Sequence, residues 1–66
     1  MRFSFKKACE TIYEYFGKNN VIQIWKPDGK YFYIVSVKDR PTFHIRRKHL
    51  CLMSWKCPNI EFDYAP

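Results

Sequence analysis

The chain has 66 residues, 47% of them hydrophobic and 20% aromatic, with 12 Lys and Arg against six Asp and Glu and a formal net charge of +6. That length holds one domain, residues 1–66, with a small core, and no apolar run approaches the ~20 residues of a membrane span. The sequence shows no internal repeat, low-complexity tract or glycine-rich phosphate loop. The positive balance bears on partners and not on fold: nucleic acid, nucleotides, acidic protein surfaces and anionic lipid stay open, beside a plain solubilising role.

Ser4 to Phe16 predicts an amphipathic helix. Phe5, Ala8, Cys9, Ile12 and Phe16 form one stripe, with Lys6, Lys7, Glu10 and Glu14 opposite. Ser4 is placed to cap its start, Phe3 to pack back on the first turn, and Gly17 to stop it. Val21 to Lys26 and Lys30 to Lys38 are rich in β-branched and aromatic residues and flank Pro27-Asp28-Gly29, a turn signal, so they predict a hairpin. In that turn proline presets the first position, aspartate favours the second, and glycine accepts the positive φ that closes it. Tyr31, Tyr33, Val35 and Val37 alternate with Phe32 and Ile34. Apolar residues on both sides predict a central strand covered on both faces.

Asp39-Arg40-Pro41 marks the next turn, and Thr42 to Arg47 predicts a third strand with Phe43 and Ile45 inward. Arg46, Arg47, Lys48 and His49 are the most basic stretch. From Leu50 to Lys56, Cys51, Met53 and Trp55 alternate with Leu50, Leu52 and Ser54, which favours a fourth strand over a helix. Pro58-Asn59 breaks the run before a short last strand at 60–64. The fold class is α+β: one N-terminal helix packed on an antiparallel sheet of three to five strands. So small a sheet leaves an edge or face open, and homo-oligomerisation would cover it.

Cys9, Cys51 and Cys57 are odd in number, and no signal-peptide pattern is visible, so free thiols in a host-cell cytoplasm are expected. The carboxylates are scattered without an acid–base pair. His49 and Cys51, two apart, share a face if the segment is a strand, but so short a chain has little volume to enclose them. His44, His49, Cys51 and Cys57 lack the paired spacing of a zinc knuckle. The expectation is a protein that is not an enzyme and has no cofactor and no metal.

Cations beside rings suit a ligand with phosphates and bases. Arg46, Arg47 and Lys48 form the basic patch, extended by Lys30, Lys38 and Arg40. Trp25, Tyr31, Tyr33 and Trp55 are the candidate stacking rings, against the plainer alternative that they fill the core. Trp25, at a strand end beside a turn, is the best placed of them for a ligand.

The order of residues also resembles a family, the small phage anti-Thoeris proteins. The opening Phe5-Lys6-Lys7-Ala8-Cys9-Glu10-Thr11-Ile12 is similar to that family's first helix. Gly17-Lys18, Val21, Trp25, Gly29 and Tyr31 to Val35 follow its order, and Asp63-Tyr64 resembles its closing Asp-Trp. The chain departs from the pattern in the extra Pro27-Asp28, the missing final tryptophan and a compressed region after Val37. The resemblance implies an oligomeric, anti-defence sponge that sequesters a cyclic ADP-ribose-type or cyclic nucleotide signal without turnover. Phe5 and Trp25 would stack on or wall its base, and Asp63 would accept hydrogen bonds from it. The expected ligand-binding residues are Phe5, Trp25, Tyr31, Arg46, Arg47, Trp55 and Asp63. Two alternatives remain: a small basic anti-CRISPR-type inhibitor of a nucleic-acid-handling complex, and a direct nucleic-acid-binding module.

Overall fold

Ser4 starts the first helix, its hydroxyl accepting from the Lys7 N–H at 3.1 Å. Phe5–Phe16 form this helix, α1, and a single 3₁₀ turn at Lys18–Asn20 follows. The strands are Val21–Trp25 (β1), Phe32–Val37 (β2), Phe43–Arg46 (β3) and Asp63–Tyr64 (β4), with a second helix at Arg47–Ser54 (α2) between β3 and β4. This computed structural model describes residues 2–64. The four strands pair antiparallel in the order β1-β2-β3-β4, an α+β fold.

The core lies between one face of the sheet and both helices. Tyr33, Val35, Val37, Phe43 and Ile45 point down from the sheet onto Ala8 and Ile12 of α1 and Leu50 and Met53 of α2. Phe43 is fully buried, its ring centroid 4.9 Å from Phe62 and 5.6 Å from Phe16. That cluster fixes the C-terminal segment against α1 and β3. The α1 stripe differs from the expected one at its first residue. Phe5 is half exposed, and buried Thr11 joins the inner side by donating its hydroxyl to the Lys7 carbonyl at 2.8 Å.

The hairpin turn closes with the Lys30 N–H donating to the Pro27 carbonyl at 3.3 Å. Pro27, Asp28 and Gly29 thus take the first three positions of the turn in the expected order, and Gly29 at φ +72° supplies the positive angle. In β1 the pairing jumps from Val21↔Val37 to Gln23↔Ser36, which leaves Ile22 as an extra, exposed residue.

Two expectations are corrected. Leu50 to Lys56 is not a fourth strand; it falls in α2 and its C-terminal turn. The segment has no β-branched residue, and its buried positions His49, Leu50 and Met53 follow helical spacing. Its caps are unusual. The Nδ1 of His49 accepts from the Arg46 N–H at 2.9 Å. At the other end Lys56 takes φ 58°, and the Cys57 N–H donates to the Leu52 carbonyl at 3.0 Å and that of Lys56 to the Met53 carbonyl at 2.9 Å. The second correction concerns β2. It is central, but only one of its faces is covered; Phe32, Ile34 and Ser36 on the other are half-buried among themselves and their neighbours. The helical layer has one side to offer, and both helices use it.

The two helix ends have opposite sensitivities. Gly17, at φ +91°, would carry a Cβ 3.0 Å from the Asn20 amide that caps Phe16. Gly17→Ala should lower stability by about 1 kcal/mol or more in urea unfolding. Lys56→Gly, which relieves a left-handed lysine, should raise it by about 1 kcal/mol. Two changes of the same sign would refute this account of the helix ends.

Candidate anion-binding groove

The β3–α2 junction has no loop. Arg46 is extended (φ −97°, ψ 172°) and Arg47 is already helical, so three consecutive cations spread at one end of the sheet. The first turn of α2 contains no acidic residue. Its free N–H groups and helix dipole thus add positive potential to Arg47 and Lys48 and do not offset it. The β1–β2 turn brings Lys26 and Lys30 to the same end, with the Lys26 ammonium donating to the Lys30 carbonyl at 3.2 Å.

Between these parts and the N-terminal segment runs a groove of about 1050 Å³. Arg2, Lys26, Lys30, Arg46, Arg47 and Lys48 line it, six of the chain's twelve cations, and no carboxylate lies among the lining residues. Buried Tyr33 and Leu50, with Phe3, give it apolar walls, while Tyr31 at 93% and Trp55 at 65% exposure present their rings to solvent. Apart from Arg46, which Asp63 meets from β4, the site offers cations with no carboxylate among its lining residues, beside free aromatic faces.

Of the residues expected to bind ligand, Tyr31, Arg46, Arg47 and Trp55 come together here. Phe5 stands next to the groove, its ring 6.0 Å from that of Tyr33. Trp25 lies on the uncovered face of the sheet, beside Lys26. The carboxylate of Asp63 sits 3.4 Å from the Nε of Arg46, an exposed pair of little energetic worth. Lys30 extends the basic patch as expected. Lys38 and Arg40 do not: they line a separate hollow, and the Arg40 guanidinium lies 5.3 Å from the Phe16 ring centroid. Arg2 and Lys26 were missed in the sequence. Lys26 had a signal in its position flanking the turn; Arg2 had none.

His49 and Cys51 do not act as a pair. Two positions apart on a helix they point to different sides, and His49 is buried with its Nδ1 committed to the Arg46 N–H. His44 is elsewhere, stacked on Phe32 at 4.3 Å between ring centroids. Among the described residues there is no group of three or more His, Cys, Asp or Glu positioned to hold a metal, and no helix is long and apolar enough to cross a membrane. Comparison with protein-family models, with curated proteins and with solved structures returns no match.

Burial lowers the His49 pKa from its ordinary value, with Lys48 and Arg46 adding to the shift and Asp63 and the Glu61 backbone opposing it. The neutral ring is thus the folded form, and protonation removes the acceptor that caps α2. A group whose folded pKa is depressed in this direction gives stability that is present above the unfolded value of about 6.5 and is lost as pH falls below it. Unfolding in urea should show stability decreasing from pH 7.5 to 5.5. His49→Asn, which keeps an acceptor but does not titrate, should flatten the difference. An equal slope in both proteins would rule His49 out as the source.

Proposed function

We propose that this protein binds nucleic acid without turnover, holding phosphates in the basic groove. One observation carries the reading: half of the chain's cations line a single groove that contains no carboxylate. Cations at a helix N-terminus oppose the helix dipole, so Arg47 and Lys48 contribute nothing to the stability of α2 there. An anion at that spot would turn the same arrangement into binding energy. The groove is wide and open, which suits a polyanionic chain lying across it better than a small molecule sealed inside.

A second reading uses the same charges. The groove's volume is comparable with that of small-molecule sites. A cyclic nucleotide or ADP-ribose-type signal, the ligand that the anti-Thoeris resemblance implies, would meet the cations and stack on Tyr31 or Trp55. To be held as a sponge holds it, such a ligand needs the open side of the groove walled, and a second copy of the chain would supply that wall. An acidic surface on a nucleic-acid-handling complex would satisfy the charges too, without the rings.

Salt separates these ligands. Fluorescence anisotropy with a labelled 15-nucleotide DNA should give log K falling with log salt at a slope of about −3 to −5, from four to six phosphate contacts. Arg47→Ala and Lys48→Ala should each weaken binding and make the slope shallower by about 0.7–0.9. Absence of binding at 50 mM salt would overturn the proposal. A rise in melting temperature with a cyclic nucleotide, insensitive to salt, would favour the sponge instead.

A further inference from the structure

We infer that the uncovered face of the sheet is a base-stacking platform, and that the nucleic acid crosses it as a single strand. The inference rests on the nucleic-acid reading of the groove and adds a second surface to it.

Cross-strand pairing aligns Trp25, Ile34 and His44 in one row, with Phe32 opposite Arg46 in the next. Phe32 and His44 stack face to face, 4.3 Å between ring centroids and 13° between their planes, so the two rings form one layered aromatic unit beside Trp25 and Ile34. Trp25 is 56% exposed although it is among the largest apolar side chains. Every position in this group belongs to the side of the sheet that the helices leave free.

The platform is continuous with the groove. Trp25 ends β1 and Phe32 begins β2, at the same end of the sheet as the β1–β2 turn and the start of α2. Lys26 follows Trp25 directly and lines the groove. Arg46 also lines it, yet its side chain reaches Asp63 on the uncovered face. A strand with phosphates in the groove thus meets cations at the sheet's edge and then rings. Unpaired bases gain from such rings because every base has a π-face, whereas the bases of a duplex are already stacked on one another. A second copy is a poorer occupant: Lys26 and Arg46 border the face against the carboxylate of Asp63, so two such faces would bring net positive charge together.

The test compares a labelled 15-nucleotide single strand with the same strand annealed to its complement. Trp25→Ala should weaken the single strand about fivefold or more, leave the duplex within about twofold, and leave the salt slope unchanged. Trp25→Phe should restore most of the loss. In a Trp55→Phe background, where Trp25 is the only indole, its fluorescence should be quenched by the single strand. Thermal melts confirm that each variant is folded. If Trp25→Ala binds the single strand like the parent while Arg47→Ala is weakened, the groove stands and the platform falls. Equal losses for single strand and duplex also overturn the platform. If the parent binds neither DNA, both readings fall together.

Discussion

The ring of Phe43 is where the molecule is tied together. It lies in β3, fully buried, and touches Phe16 from α1, Phe62 from the C-terminal segment and Tyr64 from β4. Aromatic groups remove much surface from water per residue, and a short chain has few other ways to gather a core. With that cluster in place, α1 and α2 share one side of the sheet, and the Tyr15 hydroxyl, donating to the Cys57 carbonyl at 2.8 Å, holds the segment after α2 down on α1. The consequence is one-sided. A chain of this size has apolar residues for a single covered face, and the second face stays open.

Charge follows the same division. The helices and strands run so that the β1–β2 turn and the β3–α2 junction meet at one end of the sheet, and both carry lysine or arginine. Asp28 lies in the turn itself and Asp63 reaches Arg46 from β4, but no carboxylate is among the residues that line the groove between the two places. Where the folded chain concentrates one sign of charge and leaves rings free next to it, the potential is available to an outside anion.

How much of this was legible depends on which residues carry the local signals. Ser4 and Gly17 are ordinary helix boundaries, and α1 was read almost to the residue. Pro27-Asp28-Gly29 marked the hairpin, and Phe43 and Ile45 the inner side of β3. The second helix was hidden because its ends use uncommon residues: a histidine ring accepts at its start, and a lysine stands in the left-handed position where glycine is usual. Its interior, Leu50-Cys51-Leu52-Met53, is a short continuous apolar run, which periodicity does not assign to helix over strand. The basic run at 46–48 was visible as composition. Lys30 and Tyr31 were expected beside it, but Lys26 was not; the register of β2 on β3, Phe32 against Arg46, is what brings the whole β1–β2 turn to that end.

The extra residue in β1 bears on how such a molecule survives at high concentration. Val21–Trp25, with sequence Val-Ile-Gln-Ile-Trp, is an edge strand of the kind that templates its own addition, copy upon copy, into fibres. Ile22 interrupts the regular row of outward amides and carbonyls and twists the strand out of register with any flat partner. Lys26 and Pro27 close its far end with a charge and a residue that has no N–H to donate. An irregularity of one residue thus guards the border that an open, uncapped sheet would otherwise expose to its neighbours.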